Sequence, residues 1–116
     1  MRHRKGNRKL SRATDQRLAI LRSIVASLIK VGKVRVTHAR AKEARKIADK
    51  VIALAKYNDL ASRRAVLSII RDKEAVKKIF KEAPVKFEGR PGGFTRIIKL
   101  GRRRGDNAPI VLLEIV

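Results

Sequence analysis

The apolar residues of this chain change their spacing along its length, and the change dictates two kinds of secondary structure in a set order. From residue 15 to residue 83 they recur mainly at three- and four-residue steps, the repeat of helices with one buried face. From residue 94 onward they form the β-rich runs "FTRIIKL" and "IVLLEIV". A short piece of period two, "KVRVT" at 33–37, interrupts the helical part. Helix, strand, three helices and two strands is the order of a two-layer α+β domain. A small three-stranded sheet would be covered on one face by helices.

Punctuation residues divide the helical part. The first helix is predicted over 15–31, with Thr14 or Asp15 as its cap, Leu18, Leu21, Ile24, Val25 and Leu28 buried, and Gly32 ending it. Its other side carries the small residues Ala19, Ser23, Ala26 and Ser27, which predicts a close helix–helix contact. Thr37 is expected to cap "HARAKEARKIADKVIALAKY", whose apolar face is Ala44, Ile47, Ala48, Val51, Leu54 and Ala55. Glu43 and Asp49 are expected to moderate the repulsion among the lysines on its far side. Asp59 caps "LASRRAVLSIIR", with Leu60, Val66, Leu67 and Ile70 inward. Asp72 caps "KEAVKKIFKEA", with Val76, Ile79 and Phe80 inward, and Pro84 is expected to stop it. The two β-rich runs flank "GRRRGDNAP" and should form an antiparallel hairpin with a long basic tip, Ile97 or Ile98 supplying the core.

The chain of 116 residues suits one domain, with a basic arm at 1–12 and a single compact body at 13–116 expected to carry the RNA-binding surface. Lys+Arg is 31 against Asp+Glu 10, a formal net charge of +21. A small body with that excess repels itself and is suited to a polyanion. A membrane surface would want aromatic anchors among the lysines, and aromatics are 3% with no tryptophan. No run of about twenty apolar residues suits a membrane span, and the start lacks the apolar stretch of a secretory signal. With no cysteine, disulfides and thiolate metal sites are excluded, which is compatible with a cytoplasmic protein.

Catalytic patterns are missing. Gly92 and Gly93 are followed by Phe94, Thr95 and Arg96 in a strand, which is not a P-loop, and no dinucleotide fingerprint follows a strand. His3 and His38 have no second imidazole or carboxylate pair nearby in sequence, so no metal site is expected. Asp72 is a cap and Asp106 a turn residue rather than acid–base catalysts. The expectation is a protein with no enzymatic activity and no cofactor.

Binding chemistry remains. The candidate RNA-binding residues are Arg2, His3, Arg4, Lys5, Arg8, Lys9 and Arg12 in the arm, which should order only on RNA. Lys42, Lys46 and Lys50 form a helical row at i, i+4 and i+8, and Arg63 and Arg64 a helical pair. Arg90, Gly92, Gly93 and Arg96 lie in and after a glycine-rich entry, and Arg102, Arg103 and Arg104 in the tip. Guanidinium forks match phosphate oxygens, and glycine lets backbone amides approach them. Scarce aromatics argue against stacking of single strands, so folded RNA read by shape and phosphate is favoured. A DNA-compacting protein fits the composition equally well, and an RNA-processing enzyme is a weaker alternative.

"MRHRKG" at the start, "RAKEARKIADKVIALAK" at 40–56, "GGFTRIIKL" at 92–100 and "RRRGDNAP" at 102–109 resemble the bacterial large-subunit ribosomal protein seventeen family, over essentially the whole chain. The resemblance implies a small α/β fold and a structural role in the large ribosomal subunit, supporting translation in the cytoplasm. It implies contacts with large-subunit ribosomal RNA and neighbouring ribosomal proteins near the peptide exit side, with no membrane partner and no homo-oligomer. Gln16 and Phe94 stand where the family commonly has histidine and tyrosine.

Overall fold

Two aspartates and a glycine set helix ends as the sequence predicts. The computed structural model describes residues 14–116, so the basic arm with Arg2, His3, Arg4, Lys5, Arg8, Lys9 and Arg12 lies outside the described residues. Helix α1 (Thr14–Val31) ends where the Gly32 amide donates to the Leu28 carbonyl at 2.7 Å, with Gly32 at φ +98°. Strand β1 (Lys33–Thr37) leads directly into α2 (His38–Tyr57). Helix α3 (Leu60–Ile70) starts on Asp59, whose carboxylate accepts from the Ser62 amide at 2.7 Å. Helix α4 (Lys73–Lys86) starts on Asp72, which accepts from the Ala75 amide at 3.1 Å. Strands β2 (Thr95–Arg102) and β3 (Pro109–Ile115) complete the α+β order.

The sheet has the order β1-β3-β2 and is antiparallel throughout. Its register puts Arg35 opposite Leu112 on one side of β3 and Ile98 opposite Leu112 on the other. The pairing passes from Lys99↔Val111 to Gly101↔Ile110, so Leu100 is the extra residue of a β-bulge. Val111 and Leu113 are buried beneath the helices, with Val34, Val36, Ile97 and Ile115 packed beside them. Arg96, Ile98 and Leu100 are exposed. Among the described residues the helices therefore cover one face, and of the two isoleucines Ile97 joins the core.

The core is built around α2. Ala41, Ala44, Ala48, Val51, Ile52 and Ala55 are fully buried, and α2 packs against α1, α3, α4 and every strand. Alanine lets each neighbour come close to the helix axis, which a ring of leucines would prevent. Ile47 and Leu54 flank this face at half burial.

Several local expectations are corrected. Thr37 occupies the N-cap of α2 with the extended backbone that position takes, yet its side chain makes no cap hydrogen bond. Leu60 and Leu67 are exposed, since the inward stripe of α3 is Ser62, Val66 and Ile70. Leu67 follows Val66 by one residue, about 100° around a helix of 3.6 residues per turn. Ala19, Ser23 and Ser27 face solvent and only Ala26 of that group is buried, because α2 and α4 pack on the apolar side of α1. Pro84 lies inside α4, which runs on to Lys86. Close to a C-terminus, proline costs one amide and few subsequent turns, so the helix tolerates it.

An ion pair ties α1 to the start of α4, with Lys30 Nζ 2.6 Å from Asp72 Oδ2. The Lys30 ammonium, then the Ala75 amide, hold the Asp72 carboxyl below its usual range. A depressed carboxylate stabilises the fold above its unfolded value near 3.8, and that contribution is lost as pH falls through the lower folded value. Asp72→Ala should lower unfolding stability by about 1 kcal/mol through the lost cap. It should also reduce the loss of stability on acidification below pH 3.8, both read from urea titrations.

Candidate nucleic-acid interface

Two anchors on α2, one midway and one at its C-terminal end, position β2 and the glycine-rich entry. A helix of 20 residues is about 30 Å long at 1.5 Å per residue. Midway, Asp49 Oδ1 accepts from the buried Thr95 hydroxyl at 3.0 Å, and Arg45 donates to the Thr95 carbonyl at 3.3 Å. Asp49 thus serves the helix–sheet junction and pairs with Arg45 at 3.8 Å, rather than sitting in the lysine row. This clamp sets where β2 begins.

At the C-terminal end of α2, the glycine-rich entry is tethered to the helix. Lys56 Nζ donates to the Arg90 carbonyl and stands 5.4 Å over the Phe94 ring. Phe94 packs edge-on to Phe87 at 5.0 Å and both are buried, so a phenyl ring suffices here and no hydroxyl needs a partner. Arg90 donates to the Gly93 carbonyl at 3.4 Å. Gly93 uses positive φ (+65°), and a Cβ at Gly92 or Gly93 would meet nothing within 4 Å, so these glycines border open space. The eight residues of β2 then carry the chain about 25 Å away from this entry. "GRPGG" and "GRRRGDN" are consequently separate surfaces.

The far end of β2 is where charges converge. Arg35 from β1, Arg40 from the first turn of α2, and Arg102, Arg103 and Arg104 line one concavity of about 670 Å³. Leu100, at the bulge, and Ile110 add aliphatic surface, and no carboxylate lines it. The first turn of α2 contains no acidic residue. Its N-terminal amides add partial positive charge where Thr37 and Arg40 border the space.

Within the tip, the three arginines differ. Arg103 forks onto Asp106, with Nε 3.1 Å from Oδ1. Asp106 also accepts from the Ala108 amide at 3.2 Å, while the Arg103 amide donates to the Ala108 carbonyl at 2.8 Å. Asp106 is thus the turn residue the sequence suggests, and Arg103 largely serves the turn. Arg102 donates to the Asn107 carbonyl at 3.0 Å. The side chains of Arg35, Arg40 and Arg104 have no hydrogen-bond or ion-pair partner among the described residues.

The other candidates lie elsewhere. Lys42, Lys46 and Lys50 form an exposed ridge on α2, with Lys46 3.4 Å from the buried Glu43. On α3, Arg63 stacks 5.2 Å from the Phe80 ring, and Arg64 is exposed. Arg96 pairs with Glu114 across β2 and β3. Arg35 and Arg40 were not singled out by sequence reasoning. Alternation in "KVRVT" puts Arg35 on the outward side, but its meeting with Arg104 needs the pairing of β1 with a strand some 75 residues away.

The Arg103 guanidinium, then the Ala108 amide, lower the Asp106 carboxyl from 3.8 to about 2. The tip contacts are therefore complete above pH 3.8 and are lost as pH falls through about 2. In an NMR titration the Ala108 amide should shift with a midpoint near about 2. Arg103→Ala should move that midpoint up toward the ordinary carboxylate value of about 3.9.

The family model described as Ribosomal protein L17 matches residues 20–116. "Large ribosomal subunit protein bL17" of Desulforapulum autotrophicum is 50% identical over 116 residues, all of this chain and 97% of that protein. The protein of that name from Clostridium acetobutylicum is 54% identical over 111 residues, 96% of this chain and 97% of the relative. The one from Thermoanaerobacter pseudethanolicus is 51% identical over 111 residues, 96% of this chain and 99% of the relative.

Proposed function

The chain belongs to the Ribosomal protein L17 family, a structural and non-enzymatic component of the ribosome, and from that premise we propose how it is held there. It binds large-subunit ribosomal RNA directly, through phosphate and shape contacts, as a scaffold within the large subunit. The observation that carries this reading is the concavity where five arginines meet without a carboxylate. Arginine forks pair with phosphate oxygens, and a concave basic wall concentrates the field on the anion.

The aromatic side chains support shape over stacking. Phe80, Phe87 and Phe94 are buried in the core, and Tyr57 alone is exposed, at 75%. Single-strand readers need a platform of exposed rings, which the described residues lack. The α2 lysine ridge, Arg63 and Arg64, the Arg90–Gly92–Gly93 entry with Arg96, and the basic arm of residues 1–12 engage further RNA segments. Neighbouring ribosomal proteins complete the environment. Self-repulsion from a net charge of +21 opposes assembly into homo-oligomers. No helix of the described residues is long and apolar enough to cross a membrane. Membership of a ribosomal family favours work in the cytoplasm, as part of the ribosome.

If about six to ten phosphates are engaged, affinity for large-subunit RNA should fall by about 10³–10⁵ between 50 and 200 mM salt. Filter binding across that range checks this, and a flat response would sink the phosphate mechanism. Duplex DNA added as competitor at matched salt should displace the protein poorly. Preference for the duplex would favour a DNA-compacting role instead.

A further inference from the structure

The lysine row of α2 and the arginines at the end of the sheet have different geometries. Lys42, Lys46 and Lys50 stand in a line at about 6 Å intervals along one exposed helix face. Such a row suits the side of a regular duplex, whose phosphates lie along a convex surface. The arginines at the end of the sheet instead come from three elements and surround a space: Arg35 from β1, Arg40 from α2, and Arg102 and Arg104 from the hairpin. A convex duplex cannot send several phosphates into one recess. A bulge or sharp turn can, because it folds the backbone back on itself and crowds phosphates that otherwise repel each other.

We propose that this concavity takes a bulged or sharply turned RNA segment, with clustered backbone phosphates held by Arg35, Arg40 and Arg104. The inference deepens the RNA-binding reading above and rests on it. The space of about 670 Å³ falls among ligand pockets of roughly 300–1,000 Å³, the scale of one or two nucleotides rather than a helix. Leu100 and Ile110 provide aliphatic wall against which an unstacked ribose or base edge can lie. No aromatic ring lines the space, so an extruded base stacks on a guanidinium plane instead.

The receptor is built before RNA arrives. The bulge at Leu100, with Gly101 at φ +136°, redirects the last residues of β2. Arg103 and Asp106 brace the turn behind them, which takes the nearest tip carboxylate out of competition with phosphate. The side chains of Arg35, Arg40 and Arg104 need break no hydrogen bond or ion pair with the described residues to bind. The backbone of the recess is thus set in advance, and the ordering cost of binding falls mainly on the arginine side chains.

Two hairpin RNAs with the same stem, one carrying a short bulge and one fully paired, test this by fluorescence anisotropy at fixed salt. The full chain should bind the bulged RNA about tenfold more tightly, the equivalent of one charge-assisted hydrogen bond. The double variant Arg35→Ala/Arg40→Ala should weaken the bulged complex by about 10- to 100-fold while changing the paired one by less than about threefold. Circular dichroism confirms its fold. Lys42→Ala/Lys50→Ala should weaken both complexes alike. Equal binding of both RNAs by the unaltered protein, or equal weakening of both by the arginine variant, overturns the inference and leaves the RNA-binding reading standing. Binding of neither RNA by the unaltered protein defeats both.

Discussion

The fold depends on the alanine-rich face of α2. Ala41, Ala44, Ala48 and Ala55 are fully buried where α1, α3, α4 and the sheet all approach the same helix. Close approach requires small side chains on the shared element, so apart from Val51 and Ile52 of α2 itself the larger residues that fill the core come from its neighbours. Leu28 and Ile29 of α1, Val66 of α3, Ile79 and Phe80 of α4, and Val111 and Leu113 of β3 do this. Larger side chains on α2 would push every partner outward at once, because a packed interior has no slack to absorb them. The same helix bridges the two ends of the interface, Arg40 at the concavity and Lys56 at the glycine-rich entry.

The acidic residues explain why so much positive charge stays available. There are ten of them, and most serve local structure. Asp59 and Asp72 cap helices, Asp49 clamps β2 to α2, and Asp106 braces the tip. Glu114 and Glu43 pair with Arg96 and Lys46 at the sheet and on α2. None lines the concavity. Folding therefore consumes the scarce carboxylates where geometry demands them and leaves four of the five arginines of the recess without a carboxylate partner, Arg103 alone being paired with Asp106.

Most local rules, though not the Thr37 cap or the Pro84 stop, were legible where one residue acts on its own backbone neighbours. Gly32 and the aspartate caps mark their boundaries because the physics spans only three or four residues. The β2–β3 hairpin was legible for a similar reason, since its strands flank one turn. Burial was less legible. Leu60 and Leu67 are apolar, but their exposure depends on which side of α3 meets α4 and α2. Ile52 lies next to the buried Val51, yet its full burial arises because α2 is packed on several sides and its buried face is wider than one stripe. Pro84 shows a rule applied too strictly, since the breaker acts weakly near a helix end.

By itself, then, the sequence determined the kinds and order of the elements, the excess of positive charge and the absence of a familiar catalytic pattern. Periodicity, caps and composition are properties of neighbouring residues, and they survive without knowledge of the fold. The tertiary structure decided which charges act together. Arg35, Arg40 and Arg104 are distant in the chain and converge only because β1 pairs with β3 and α2 starts where β1 ends. It also divided the glycine- and arginine-rich stretch of residues 88–109 into two surfaces, because an extended strand of eight residues separates its ends. Convergence depends on long-range pairing, and no local pattern in the chain encodes the distance between two residues brought together that way.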